Sequence, residues 1–271
     1  MPYVTLDDGT PLFHTDEGSG RPLVLLQGLQ FPSSYFWQNN LGPLSKDHRV
    51  IAIDTRGQGL SGKPMGGYTI ATAASDLHET FEKLGLRDIA LAGVAFGGLV
   101  ILDYVRQFGA DRLRSIALCE MTPRLTSAEG WPYPTFGDFP PEAAAAYGDG
   151  VRQDRGVLKD FLYAAFATPP EPAVIAEMQA QMYLTPTSVV AELIDDMVRQ
   201  DFRAMLPSID RPTLLIYGRG NNAVMPGEVG RWMASQIPGA ELVELPEAGH
   251  SPFWEDPAGF NRALGDFAAA H

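Results

Sequence analysis

The chain is short of cysteine, of positive charge and of long apolar runs, and each shortage excludes something. Its one thiol, Cys119, cannot form an intrachain disulfide, which fits a reducing compartment and points to the cytoplasm. Lys and Arg number 20 against 33 Asp and Glu, for a net charge of −13. A surface of that sign repels phosphate backbones and anionic headgroups, so neither nucleic acid nor a membrane is an expected partner. No apolar run approaches the roughly 20 residues that span a bilayer. No basic segment followed by an apolar stretch opens the chain, so no secretory signal is read and a soluble protein is expected. No His/Cys/carboxylate cluster has ligand spacing, and no metal is expected.

What the chain does have is an alternation of short apolar runs and helical patterns, the mark of a parallel sheet covered on both faces. Strands are expected at Pro22–Gln27, Val50–Asp54, Asp88–Ala92, Leu113–Cys119, Thr213–Tyr217 and Glu241–Leu245. Ile70–Leu84 places Ala74, Leu77, Phe81 and Leu84 on one helical face. Helices are also expected at Gly98–Phe108 and Arg262–Ala270, and Asp8-Gly9 marks an opening hairpin.

The alternation stops between about Thr122 and Pro207. That stretch carries only helical patterns, around Glu142–Gly148, Leu158–Ala167, Ala173–Tyr183 and Ser188–Arg203, broken by prolines. It reads as a helical cap, residues 122–207, inserted into a core of residues 1–121 and 208–271 and lying over the carboxyl edge of the sheet, where open α/β sheets bind ligands.

Four loops carry chemistry. Gly93-Val94-Ala95-Phe96-Gly97 joins a buried strand to a helix with small residues two places before and after Ala95, where side chains would meet neighbouring backbone. The others are Gln27-Gly28-Leu29, Asp54-Thr55-Arg56-Gly57-Gln58-Gly59-Leu60-Ser61, and Gly249-His250-Ser251-Pro252-Phe253 followed by Glu255 and Pro257. In this order the four resemble the motifs of the α/β-hydrolase superfamily: the G-x-S-x-G nucleophile elbow, the oxyanion loop, the D-x-R-G-x-G-x-S loop and the catalytic-histidine loop.

The resemblance spans nearly the whole chain. It implies an α/β-hydrolase fold: a mostly parallel eight-stranded sheet, helices on both faces and a helical cap. It also implies His250 as base then acid, backbone amides of Leu29 and Phe96 as the oxyanion hole, and no cofactor. The implied partner is a small apolar or aromatic ester or lactone. The elbow departs from the pattern at its centre, because the methyl of Ala95 cannot attack a carbonyl. Two readings of Ala95 stand: a serine enzyme inactivated by substitution, or a natural non-catalytic homologue. Survival of a candidate acid and base favours the first. The Gly at position 93 favours serine over aspartate as the parent residue, although Ser33-Ser34-Tyr35-Phe36-Trp37 resembles the haloalkane dehalogenases.

The acid has two candidate places. Three residues past Gly218 stands Asn221, an amide that cannot balance an imidazolium. One strand earlier stands Glu120, the place used in haloalkane dehalogenases and zearalenone-lactonase-like enzymes. A carboxylate closing an apolar strand is costly unless paired, and this favours Glu120. His14, His48, His78 and His271 lack comparable context, and Cys119 reads as a small core residue. For the pocket wall the expected residues are Trp37, Trp131, Tyr133, Phe136, Phe166, Met182 and Phe253. Carbon–carbon bond hydrolysis and cofactor-free chemistry on the same residues remain alternatives.

Overall fold

The computed structural model describes residues 2–271. The chain opens with β1 (Tyr3–Thr5) and β2 (Pro11–Phe13), an antiparallel hairpin pairing Val4 with Leu12. Then come β3 (Glu17–Gly18), β4 (Pro22–Leu26), the short helices α1 (Ser33–Phe36) and α2 (Leu41–Leu44), and β5 (Arg49–Ile53). The rest of the first half is α3 (Ile70–Lys83), β6 (Ile89–Val94), α4 (Phe96–Phe108) and β7 (Leu113–Cys119). Helices α5 (Pro141–Gln153), α6 (Val157–Ala164), α7 (Pro172–Met182) and α8 (Thr187–Met197) intervene before β8 (Thr213–Gly218). The chain closes with α9 (Glu228–Gln236), β9 (Glu241–Leu245), α10 (Pro252–Glu255) and α11 (Pro257–Ala270).

Seven strands form the main sheet in the order β3-β5-β4-β6-β7-β8-β9, parallel except for the edge strand β3. The expected count of eight is too high by one, because β1 and β2 pair with each other as a separate two-stranded sheet. An isolated bridge from His14 to Ile53 links that hairpin to the main sheet. The last helix starts at Pro257, five residues before the expected Arg262; Asp256 caps it by accepting from the Gly259 amide at 2.9 Å.

Strand periodicity decides the two core layers. In β4, Val24 and Leu26 face a layer built with Leu77 and Phe81 of α3 and Leu99 of α4. Leu23 and Leu25 face the opposite layer, with Phe260, Leu264 and Phe267 of α11. A third apolar cluster lies within the helical insertion, around Val151, Leu158, Ile175 and Ile194. Helix α8 joins the insertion to the rest: Val189, Leu193 and Met197, four residues apart, pack into the first core, while Val190 and Ile194 face the insertion. No described helix is long and apolar enough to cross a membrane.

After β4 the chain pairs β5 on one side of it and β6 on the other, which opens a crevice at the carboxyl ends of these strands. The ends of β4, β6, β7, β8 and β9 lead directly into Gln27–Leu29, Ala95, Glu120, Gly218–Asn222 and the His250 loop.

Candidate active site

Ala95 directly follows β6, with φ 47° and ψ −107°, and its amide donates to the Cys119 carbonyl at 3.0 Å. Such a backbone costs roughly 1–3 kcal/mol for a residue with a side chain and persists only where its surroundings over-determine it. The surroundings are tight: a Cβ on Gly93 would lie 2.5 Å from the Gly97 carbonyl carbon, and one on Gly97 2.7 Å from the Leu26 carbonyl oxygen. Among the described residues, five that are not glycine have positive φ: Gln30, Asp88, Ala95, Glu120 and Phe136. Gln30, Ala95 and Phe136 line the cavity described below, and Glu120 lies behind His250, so backbone strain concentrates around this crevice.

Glu120 is wholly buried, and every contact of its carboxylate is a donor. The Gly218 amide donates to Oε1 at 2.5 Å; the Asn222 side-chain amide donates to Oε2 at 2.9 Å, and His250 Nδ1 lies 2.9 Å from the same oxygen. Glycine at 218 lets the histidine loop come close to the end of β8, since a Cβ there would sit 2.1 Å from the Gly249 carbonyl oxygen. Geometry therefore brings Glu120 to His250, while Asn221 is exposed. The residue that sequence reasoning missed is its neighbour Asn222, whose Oδ1 also accepts from the Val224 and Met225 amides. Polar Asn222 beside Asn221 is a visible signal, but spacing alone cannot say which amide turns inward.

The histidine loop is held from outside by Glu255, which accepts from the Gly249 amide at 2.7 Å and the Ala167 amide of the helical insertion at 2.8 Å. Burial, and then the Glu120 carboxylate, push the Cys119 thiol and the Tyr217 phenol above their ordinary values, so neither ionises near neutrality. Cys119 packs in the sheet core. His48 reaches the Gly265 carbonyl, His78 stacks on Phe108, and His14 and His271 also lie outside the crevice. The Ser61 hydroxyl donates to the Asp54 carbonyl at 2.6 Å, a bond internal to its loop.

Among the described residues, the backbone amides of Leu29 and Phe96 find no acceptor. Phe96 is the first residue of α4, where an unpaired amide and the positive helix end coincide. Both residues line a cavity of about 160 Å³, together with Ala95 and His250. A histidine bonded through Nδ1 to a carboxylate can accept a proton at Nε2, and two free amides beside it can hold a developing oxyanion.

The cavity wall is apolar and aromatic. Phe136, Phe166 and Phe253 line it, as do Phe31, Tyr35, Phe161 and Trp254, which sequence reasoning did not single out. The Phe161 ring meets the His250 ring edge-on, centroids 6.0 Å apart. Tyr35 Oη and Thr135 Oγ1 are buried without a partner among the described residues, and burial raises the Tyr35 phenol to about 12, leaving it a neutral donor. Four expected wall residues lie elsewhere. Trp37 is fully buried in the sheet core between Phe36, Phe253 and Phe260. Trp131 and Tyr133 pack against Trp232 of α9, and the Arg203 guanidinium covers the Trp131 ring. Met182 fills the interior of the helical insertion. Aromatic and Met side chains serve packing and pocket equally well, and only their placement separates the two uses.

Fold and site together define an α/β protein with a strained strand-to-helix turn, a buried carboxylate–histidine pair and an apolar cavity between them and the helical insertion. The sequence profile of the alpha/beta hydrolase fold matches residues 21–257, and the chain belongs to that family. It is 30% identical over 277 residues to a non-heme chloroperoxidase of Kitasatospora aureofaciens, covering 98% of this chain and 99% of that one. An esterase from Exiguobacterium antarcticum superposes with a TM-score of 0.90 at 27% identity, over 98% of each chain. The enol-lactonase from Burkholderia xenovorans LB400 superposes with a TM-score of 0.84 at 27% identity, over 99% of this chain and 100% of that one.

Proposed function

We propose that this site is built for hydrolysis of an apolar carboxylic ester or lactone through an acyl-enzyme, and that Ala95 occupies the position of the attacking serine. The observation that carries the reading is the buried 2.9 Å contact between His250 and Glu120, beside a strained elbow and two unpaired amides. With serine at 95, the hydroxyl attacks the carbonyl, His250 takes its proton and returns it to the leaving alcohol, and Glu120 balances the imidazolium. The amides of Leu29 and Phe96 hold the oxyanion, each such donor being worth about 10²–10³ in turnover. With Ala95 the covalent step has no nucleophile, while cavity and amides still bind substrate. The esterase and lactonase neighbours support this substrate class. The acidic surface supports a small-molecule partner over nucleic acid or membrane, and the lone buried Cys119 suits the cytoplasm.

Ala95 itself favours a second reading, a non-catalytic ligand-binding member of the family. The separating experiment compares Ala95→Ser with the unaltered chain on short and medium 4-nitrophenyl esters and simple lactones. Turnover in the serine form, abolished again by His250→Ala, is the expected result. Tight binding of apolar esters with no turnover in the serine form supports the binding protein.

A further inference from the structure

The oxyanion loop is held by a residue of the helical insertion. Thr185 lies between α7 and α8 and is fully buried. Its hydroxyl lies 2.9 Å from the Gln30 carbonyl oxygen, and the Gly59 amide lies 3.1 Å from the same hydroxyl. The amide can only donate, so Oγ1 accepts from Gly59 and its single proton goes to Gln30. Gln30 directly follows Leu29 and is held at φ 74°. Its amide donates to the side chain of fully buried Gln58, whose own amide donates to Thr55 Oγ1 at 2.7 Å. Both backbone polar groups of Gln30 are thus committed, one to the Asp54–Ser61 loop and one to the insertion. Thr185 is in turn fixed by Arg155, whose guanidinium donates to the Thr185 and Met182 carbonyls and stacks over the Tyr183 ring.

From this geometry we infer that Thr185 is a positioning residue for the oxyanion hole, so that the aim of the Leu29 amide depends on the seating of the helical insertion. The inference rests on the hydrolase reading above. The Gln58 bond to the Gln30 amide fixes the peptide plane that follows Leu29, and the Thr185 bond to the Gln30 carbonyl fixes the plane after that, so Gln30 is held at both ends and the loop carrying Leu29 is held with it. Without the Thr185 hydroxyl, the Gln30 carbonyl and the Gly59 amide are left buried and unpaired, and the loop must shift to rehydrate them. A displacement of that kind weakens a bond that depends on placement far more than it weakens apolar burial. Anions that use the hole lose affinity, and neutral ligands of the same shape do not.

The test is made on the unaltered Ala95 chain with 4-phenylbutyrate and its neutral isostere 4-phenylbutanol, measured by calorimetry for the chain, Thr185→Val and Thr185→Ser. The carboxylate is expected to bind more tightly than the alcohol. Thr185→Val should cut that preference at least fivefold with alcohol affinity within twofold, and Thr185→Ser should restore it. A preference kept in Thr185→Val overturns the inference alone. No preference in the parent chain overturns the oxyanion hole and the hydrolase reading with it. Should Thr185→Val unfold, Thr185→Ala takes its place, with the same loss of preference expected and a kept preference again overturning the inference. In the Ala95→Ser form, Thr185→Val should lower kcat about tenfold with KM within twofold.

Discussion

The two halves of the cavity are made in opposite ways. At the floor, Ala95 and the free amides of Leu29 and Phe96, with Glu120 behind His250, sit just past strand ends, and their positions follow from sheet hydrogen bonds. The polar contacts of Glu120 are short and directional: all three to its carboxylate come from donors. The roof has no such ladder. It is built by Phe136, Phe161, Phe166 and Met178 from the helical insertion, held by apolar packing and a few ties to the core. Directional bonds tolerate little displacement, whereas apolar contacts fade gradually with distance. The contrast implies that substitutions in the floor alter turnover and substitutions in the roof alter which substrates bind.

The most demanding check on that division is Glu120→Gln in the Ala95→Ser background. Glutamine keeps the shape but cannot balance an imidazolium, and kcat is expected to fall about 10³–10⁴-fold with KM little changed. A drop below tenfold would remove the charge-balancing role from Glu120. A smaller effect is expected from Phe136→Ala in the roof. Phe136 is 39% exposed, and its amide bond to the Val224 carbonyl does not involve the ring. Its loss should raise KM for bulky aryl esters a few-fold and leave short acyl esters and kcat unchanged, as steady-state kinetics on an ester series would record. An equal effect across the series would blur floor and roof.

The smallest effect concerns how the roof is tethered. Arg124, near the start of the insertion, pairs with Asp201 at its end at 2.8 Å, and Arg203 pairs with the same carboxylate at 2.7 Å. Hydrogen bonding from Arg203, aided by Arg124, holds the Asp201 carboxyl down at about 2. Because the folded value lies below the ordinary 3.8, the stabilisation is complete above 3.8 and disappears as pH falls through about 2. Partly exposed pairs of this kind contribute less than about 1 kcal/mol. Asp201→Asn should therefore lower Tm slightly at pH 7, and the difference should shrink on acidification from pH 4 towards 2. A difference that grew with acid would contradict the assigned direction.

Much of the floor is legible in the amino-acid sequence. The glycines at 93 and 97 read as backbone clearances, and the distances around them are of that kind. Glu120 stands out as a carboxylate at the end of an apolar strand, an arrangement that water-excluding burial makes costly without partners. The roof is not legible in the same way. Trp37, Trp131 and Tyr133 have the same chemistry as Phe31, Tyr35 and Trp254, and composition cannot tell a ring that fills a core from one that bounds a cavity.

The amino-acid sequence by itself determined the family, the α/β layering and the turns at the strand ends, because these rest on local periodicity and on narrow steric requirements. Tertiary structure alone decided that seven strands and not eight make the main sheet, that Asn222 and not Asn221 turns to Glu120, and that Thr185 of the helical insertion reaches the Gln30 carbonyl. Each of these joins residues distant in sequence or chooses between adjacent equivalent side chains. Such choices depend on where whole elements come to rest, which is settled by the packing of the entire core.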